Sequence, residues 1–458
     1  MPLVAGVDSS TSACKVEIRD ADTGAVVASG RAPHPPTTPP RSEQDPAAWW
    51  SAFEEALGDR RVDAIAVAGQ QHGLVVLDDA AAVLRPAKLW NDTESAPDAD
   101  ALIDVLGAAG WADACGSVPV PSFTITKLAW LRRTEPDVFA RVARVCLPHD
   151  WLTSRLTGAC TTDRGDASGT GWWSPREERH RFDLLELVDD AKEWPSMVPA
   201  VLGPTEPAGA WRGAVVGPGT GDNMAAALGL GLRPGDLALS LGTSATAFTV
   251  SDVPAADATG TVAGFADATG RYLPLVCTLN ATKVTAAVAR LLGVDDAGLD
   301  ELALAAPPGA DGVVLVPHFD GERTPNRPDA TGVLSGLRSD VTREQLARAA
   351  FEGVVCNLLA GAERLGRCDG RVLLIGGGAH SRAYRRVVAD LLGRSVLVPD
   401  EDELVARGAA VQAAAVLTGC SLDDVASAWG LDRGAIVEPD PTVDRDAVRA
   451  AYAGAAER

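Results

Sequence analysis

The chain opens with short apolar runs separated by turn residues, at residues 3–7, 14–19 and 26–29. Their β-branched and apolar composition predicts three strands of a meander, with Gly24 in the second turn. Apolar residues then recur at helical spacing between positions 49 and 57, after the helix-start signal Asp45-Pro46. A fourth strand is predicted at residues 64–68, which gives the first half the order β–β–β–α–β.

The second half repeats this order after the turn Arg233-Pro234-Gly235-Asp236. Its predicted elements are strands at residues 237–241, 247–250, 272–276 and 371–375, and helices at residues 282–292, 345–365 and 382–392. We therefore predict an N-terminal domain at residues 1–234 and a C-terminal domain at residues 235–458.

The two halves also share a short sequence. Residues 8–18 (DSSTSACKVEI) resemble residues 240–250 (SLGTSATAFTV), and small residues separate the β-branched stretches in both. Such hairpins bring backbone N–H groups and hydroxyls close to a phosphate. Two unrelated Gly/Ser/Thr turns are the alternative, and the hairpins alone leave both interpretations open.

Composition narrows the class of protein. The 458 residues suffice for two or three domains, and 46% hydrophobic with 22% charged residues predicts a globular protein. The net charge of −21 argues against a nucleic-acid or anionic-membrane partner, because phosphate groups would be repelled. No leader or membrane-span pattern is found, so we expect a cytoplasmic location.

The eight cysteines are scattered and form no Cys-x-x-Cys pair. This spacing predicts buried thiols rather than disulfides or metal ligands.

Two longer stretches, SFTITKLAWLRR at residues 122–133 and GVLSGLRSDVTREQLARAAFE at residues 332–352, resemble the signatures of the FGGY carbohydrate kinases. Thr134 departs from the first signature, where Glu, Asn, Gln or His is more common. This family belongs to the actin/hexokinase/Hsp70 superfamily, and the resemblance covers nearly the whole chain. It implies a duplicated two-domain α/β fold, ribonuclease H-like, with the active site in the interdomain cleft.

Five shorter motifs resemble the branch of the family that acts on xylulose: SEQDP at 42–46, GQQHG at 69–73, LWND at 89–92, GDN at 221–223 and GERTP at 321–325. Two positions depart from the pattern. Gln71 stands where many relatives have Met, and LPHDW at 147–151 replaces the more common Lys-Asp-Tyr.

The resemblance implies the catalytic groups. Asp222 would take the proton from the sugar hydroxyl that attacks ATP, and Asn223 would hydrogen-bond a sugar hydroxyl. Its position alone favours a helix N-cap for Asp222, and the resemblance favours the catalytic base instead. Asp8 would orient hydrated Mg²⁺ near the phosphates, with a turn Asp bonded to its own backbone as the alternative.

The nucleotide would be held by residues from both halves. The expected phosphate contacts are Thr11, Ser12, Gly242 and Thr243, and the expected adenine and ribose contacts are Gly376, Gly377, Gly378 and Ser381. Lys15 is a further candidate in the nucleotide site, although a lone Lys in a strand often faces solvent.

Four further residues are expected to contact the sugar: Gln71, His72, Trp90 and Asp92. Amide, imidazole and carboxylate groups suit a polyol or ketose, and an indole can cover the apolar face of a sugar. A structural His and a Trp in core packing are the alternatives.

The expected activity is therefore ATP-dependent phosphorylation of the terminal hydroxyl of a pentulose, D-xylulose above all. A related kinase acting on ribulose, another ketose, a polyol or glycerol is the alternative within the family. A non-catalytic nucleotide-binding protein of the actin/Hsp70 kind is the alternative from another class. The expected partners are ATP and a small sugar, without nucleic acid or membrane; oligomeric state stays open, with a homodimer as one alternative.

Overall fold

The computed structural model describes residues 1–457 as two compact units. The first unit combines Met1–Leu232 with Ser251–Leu273 and Glu403–Asp432; the second combines Arg233–Val250 with Pro274–Asp402 and residues 433–457. The chain first leaves the first unit after Leu232, close to the predicted boundary. The predicted domains do not include the later return of the chain to the first unit, at Ser251–Leu273 and Glu403–Asp432.

The strands are β1 (Leu3–Ser9), β2 (Ala13–Asp20), β3 (Val26–Pro33), β4 (Glu43–Gln44), β5 (Ala64–Gly69), β6 (Val75–Leu77), β7 (Ala87–Lys88), β8 (Arg144–Cys146), β9 (Thr161–Asp163), β10 (Trp173–Ser174), β11 (Arg179–His180), β12 (Ala200–Leu202), β13 (Gly209–Trp211), β14 (Ala214–Val216), β15 (Thr220–Gly221), β16 (Leu237–Leu241), β17 (Ala245–Thr249), β18 (Ala263–Ala266), β19 (Tyr272–Thr278), β20 (Val314–Val316), β21 (Val333–Ser335), β22 (Val372–Ile375), β23 (Val396–Pro399) and β24 (Gly434–Val437).

The helices are α1 (Pro46–Leu57), α2 (Ala96–Cys115), α3 (Thr124–Thr134), α4 (Pro136–Arg141), α5 (Pro148–Thr157), α6 (Arg164–Ala167), α7 (Phe182–Glu186), α8 (Trp194–Met197), α9 (Asp222–Gly229), α10 (Thr282–Leu292), α11 (Asp296–Ala305), α12 (Arg343–Ala362), α13 (Arg382–Leu392), α14 (Leu404–Thr418), α15 (Leu422–Trp429) and α16 (Arg445–Ala456). Helices α10 and α13 have their predicted bounds. Helix α1 begins one residue after Asp45, whose side chain accepts a hydrogen bond from the N–H of Ala47 and caps the helix.

The main sheet of the first unit has the order β13-β14-β5-β1-β2-β3, and β15 also pairs with β5. Strand β1 is antiparallel to β2 but parallel to β5, with Ser9 opposite Gly69. Strand β15 is also parallel to β5, with Gly221 opposite Gly69. The carboxyl ends of β1, β5 and β15 therefore lie side by side, and the residues at these ends are brought together although they are far apart in sequence.

The sheet of the second unit repeats the arrangement of the central strands of the first. Its strands follow the order β19-β17-β16-β22-β23-β24. Strand β16 is antiparallel to β17 and parallel to β22, with Ser240 opposite Ile375. The turn after β16 and the glycine turn after β22 consequently share one edge of the sheet. This repeated arrangement confirms the predicted duplicated α/β fold.

Glycines explain why α14 joins the first unit. A Cβ atom on Gly6 of β1 would lie 1.8 Å from the carbonyl oxygen of Ala406, and one on Gly408 would lie 1.9 Å from that of Ala225 in α9. Backbone approaches this close require glycine. Helix α14 therefore packs directly against β1 and α9, and the chain must return to the first unit to supply it.

Among residues 1–457, no single helix has the length and apolar character needed to span a membrane. Helices α14 and α15 meet these two requirements only when taken together, and the pair is bent by 117°. All cysteines within residues 1–457 are free thiols. Four are buried, three are half-buried and Cys420 is exposed, so the expectation of burial is wrong for that one residue.

Candidate active site

Asp8 lies near the carboxyl end of β1 and is buried. Its Oδ2 is 3.5 Å from Nζ of Lys15, the residue opposite it in β2, and the same Nζ is 2.7 Å from Oε2 of Glu403. Burial raises the pKa of Asp8 to about 6, although Lys15 lowers it. Lys15 is thus held between two carboxylates rather than extended into solvent.

Asp222 lies beside this position because β15 ends at Gly221. It is the first residue of α9, and Gly221 occupies the cap position, so the interpretation of Asp222 as the N-cap is wrong. Burial raises the pKa of Asp222 to about 7, and the negative charges of Asp8 and Asp166 add to the effect. A carboxylate with a pKa near 7 is suited to accept a proton at neutral pH.

Asn223 connects Asp222 to the loop after β5. Its side-chain Nδ2 donates to Oδ1 of Asp222 at 3.0 Å and to Oε1 of Gln71 at 2.5 Å. The buried Nε2 of Gln71 has no hydrogen-bond partner within residues 1–457. Three residues predicted to act on the sugar are thus joined at one sheet edge, and one of them has a donor left for a ligand.

His72 follows in the same loop with a left-handed backbone, φ 62°. Its ring packs between Phe123 and Phe265, with centroids 5.3 and 5.0 Å away. Room for the ring depends on Gly169, because a Cβ there would lie 1.8 Å from Cε1 of His72. The FGGY-like stretch at residues 122–133 thus supports this loop, and Oγ1 of Thr124 donates to the carbonyl oxygen of His72 at 3.2 Å.

The hydroxyl of Thr11 is bonded to groups on the predicted sugar side. It donates to Oε1 of Gln70 at 3.0 Å and accepts from Nε1 of Trp90 at 2.9 Å. Trp90 remains 37% exposed, so part of its indole is accessible to a ligand. Ser12, next in the turn, is exposed, and its carbonyl oxygen accepts from the N–H of His34.

Asp92 is placed differently from the other predicted sugar ligands. It is fully buried, and its Oδ2 accepts from the backbone N–H of Ser42 and from Nζ of Lys88, both at 2.9 Å. The same Nζ also contacts Glu43 and Glu94. The Lys88 ammonium thus occupies the centre of the three carboxylates. These contacts favour a structural role for Asp92.

The second unit contains the other predicted nucleotide residues. The carbonyl oxygen of Gly242 accepts from the N–H and the hydroxyl of Thr282 at the start of α10, and the adjacent Thr243 is exposed. Gly376 and Gly377 are also exposed, whereas Gly378 is buried against Leu241.

Ser381 forms the N-cap of α13. Its Oγ accepts from the N–H of Tyr384 at 3.0 Å and donates to Oδ1 of Asp300 at 2.5 Å. These bonds account for the presence of Ser381 without a nucleotide, so its contact with the ribose stays a prediction.

A buried polar cluster was not predicted from the sequence. His149 and Asp166 are both fully buried, and Nδ1 of His149 is 2.9 Å from Oδ2 of Asp166. Asp150 and Asp163 lie on the other side of the ring, 3.2 and 3.6 Å from Nε2. The only signal in the sequence was the departure of residues 147–151 from the family pattern, which gave no indication of these partners.

Comparison with known proteins agrees with this architecture. The model of the N-terminal domain of the FGGY family of carbohydrate kinases matches residues 3–229, and that of its C-terminal domain matches residues 237–417. The chain is 49% identical to the xylulose kinase of Streptomyces coelicolor and 48% identical to that of Streptomyces rubiginosus, covering 97% of this chain and 94% of each relative.

The crystal structure of xylulose kinase from Bifidobacterium adolescentis is also similar, with 43% identity, a TM-score of 0.87 and 99% of both chains covered. The predicted superfamily fold is thereby confirmed. The non-catalytic alternative is not supported, because the matching family consists of ATP-dependent sugar kinases. The chain belongs to the FGGY family of carbohydrate kinases.

Proposed function

We propose that this kinase phosphorylates the terminal hydroxyl of D-xylulose to give D-xylulose 5-phosphate. The observation that carries the proposal is the group formed by Asp222, Asn223 and Gln71 at the edge of the first sheet, where a buried amide donor has no partner among residues 1–457. The names of the similar proteins, xylulose kinases of two Streptomyces species and of Bifidobacterium adolescentis, support this choice of sugar.

In the proposed reaction, Asp222 accepts the proton of the sugar hydroxyl as the hydroxyl oxygen attacks the γ-phosphorus of ATP. The bond from that phosphorus to the bridging oxygen breaks, and ADP leaves. Asn223 holds the carboxylate of Asp222 through two hydrogen bonds and leaves its other oxygen for the substrate. Gln71 and His72 bind hydroxyl groups, and Trp90 covers one side of the sugar.

Asp8 would hold hydrated Mg²⁺. The fit is good, because its buried Oδ1 has no hydrogen-bond partner within residues 1–457 and a carboxylate oxygen is a preferred ligand of this ion. Mg²⁺ would supply positive charge to the phosphates. The glycine turn at 376–378 and Thr243 would bind the nucleotide through their backbone N–H groups, and Gly242, whose N–H donates to the carbonyl oxygen of Ser244, would shape the turn beside them.

The test is ADP release from ATP with D-xylulose, D-ribulose, L-ribulose, glycerol and L-fuculose at equal concentrations. We expect D-xylulose to give the highest kcat/KM, because an epimer would leave buried polar groups unpaired at about 1–3 kcal/mol each. The Asp222→Asn variant serves as the control for a contaminating kinase. A tenfold preference for another sugar would overturn the choice of D-xylulose and leave the family assignment intact.

A further inference from the structure

A buried chain of three side chains runs behind the proposed sugar site. Oδ1 of Asp166 lies 3.3 Å from the backbone nitrogen of His72 and 3.4 Å from Nδ1 of its ring. Oδ2 of Asp166 lies 2.9 Å from Nδ1 of His149. One carboxylate therefore connects His72 to a second imidazole that is completely inaccessible to solvent.

The backbone of His72 needs such support. A left-handed φ of 62° is unfavourable for a residue with a side chain, and it persists only where surrounding contacts fix it. Asp166 contacts both the amide and the ring of His72, so it can fix the loop and the direction of the ring together. Asp166 is itself held in α6, where its N–H donates to the capping carboxylate of Asp163.

The charge balance of the cluster points to a protonated His149. Asp150, Asp163 and Asp166 surround its ring, and buried carboxylates need a nearby cation. Burial alone would lower the pKa of His149, but Asp150 first, then Asp166 and Asp163, raise it to about 9. His149 can then donate from Nδ1 to Asp166 and keep that carboxylate ionised.

Two glycines leave room for His149. A Cβ on Gly69 would lie 2.9 Å from Cβ of His149, and one on Gly219 would lie 2.7 Å from its Cδ2. Gly69 is the last residue of β5, immediately before the loop that contains His72. The cluster is therefore built into the sheet edge that carries the proposed active site.

We propose that Asp166, held by the imidazolium of His149, is a positioning residue that fixes the ring and backbone of His72 for binding of the sugar. The inference rests on the proposed role of His72 as a sugar ligand. Asp166 does not touch the substrate, and its effect is transmitted through His72.

The test is a double-mutant cycle with Asp166→Asn and His72→Ala, read as the KM for D-xylulose, the KM for ATP and kcat. We expect Asp166→Asn to raise the KM for D-xylulose about tenfold while the KM for ATP changes less than twofold. In the His72→Ala background, Asp166→Asn should raise the sugar KM by no more than about twofold. The matched control is Asp98→Asn, another buried aspartate in an ion pair, which contacts Arg133 in the last turn of α3 and should leave the sugar KM unchanged.

Two outcomes would overturn the inference while the proposed function stands: an unchanged sugar KM in Asp166→Asn, or an equal effect of that substitution with and without His72. An unchanged sugar KM in His72→Ala would overturn the inference together with the role of His72 as a sugar ligand, whereas the choice of D-xylulose is decided separately by the comparison of sugars. If Asp166→Asn does not fold, His149→Lys and His149→Gln replace it. The inference is supported if His149→Lys keeps the sugar KM within threefold of the original value and His149→Gln raises it about tenfold. Equal sugar KM values in these two variants overturn it.

Discussion

The two sheets share one layout but differ in what lies at their edges. In the first unit, β1, β5 and β15 end in Asp8, the Gln70–His72 loop and Asp222; in the second unit, β16 and β22 end in turns of glycine and hydroxyl residues. One edge carries the carboxylates of Asp8, which is buried, and Asp222, which is half-buried, whereas the other exposes Thr243, Gly376 and Gly377. The two sheets thus share one strand geometry, and the side chains at their edges are what differ.

The repeated hairpins also close differently. Asp8 lies opposite Lys15 in the first, whereas Ser240, its counterpart in the aligned sequences, lies opposite Thr246 in the second. The second turn is consequently one residue shorter, with Leu241 opposite Ala245. Thr11 and Thr243 both lie two residues after the last paired residue of the preceding strand, but Thr11 belongs to a four-residue turn and Thr243 to a three-residue turn.

The largest expected difference between the two edges concerns proton transfer. Asp222→Asn should lower kcat by about two to four orders of magnitude, the usual contribution of a positioned general base. The KM for ATP should change little, because the proposed nucleotide residues lie mainly in the second unit. Steady-state kinetics checks both values, and full turnover by a folded Asp222→Asn protein would contradict the assignment of the base.

The pH dependence of kcat/KM should also report on the ionisation of Asp222. Asp222 must be ionised to accept a proton, and its pKa is raised to about 7, so kcat/KM for the sugar should fall about tenfold per pH unit below that value. A cation at Asp8 favours the ionised form, so this limb should move to lower pH as the Mg²⁺ concentration rises. A profile that is flat between pH 5 and 7 would show that another group limits the reaction.

The central strands β1, β2, β3, β5, β16, β17, β19 and β22 were predictable because each has a local apolar pattern. The placement of Asp8 and Asp222 near strand ends follows from short motifs, and their catalytic roles stay predictions. The cluster of His149 and Asp166 was not, because it forms only when β5, α5 and α6 pack together. The bond between Thr11 and Trp90 joins residues 79 positions apart, which the hairpin sequence does not indicate. The inclusion of α14 in the first unit likewise depends on close packing at Gly6 and Gly408.

A comparison of Thr11 and Thr243 sharpens the contrast between the hairpins. Thr11→Val removes the hydroxyl that holds Trp90 and Gln70, so it should raise the KM for the sugar about fivefold, equivalent to about 1 kcal/mol. Thr243→Val should instead raise the KM for ATP by a similar factor. Thr11→Ser, which keeps the hydroxyl, is the matched control and should retain a nearly normal sugar KM. Equal effects of both Val substitutions on the KM for ATP would instead support the expectation that both threonines contact the phosphates.

The last comparison concerns stability rather than activity, in the turns after the parallel strands β5 and β22. His72 has the left-handed backbone after β5 and is supported by Asp166, whereas Gly376 has it after β22, with φ 82°. A Cβ on Gly376 would lie 2.7 Å from the carbonyl oxygen of Leu241, while one on Gly377 would meet no atom within 4 Å. Gly376→Ala should therefore lower the free energy of unfolding by about 1–3 kcal/mol, and Gly377→Ala by less than about 0.5 kcal/mol. Denaturant unfolding of the two variants measures the difference. Equal stability would mean that the second turn tolerates side chains as the first one does, and that its glycines are not required by the backbone.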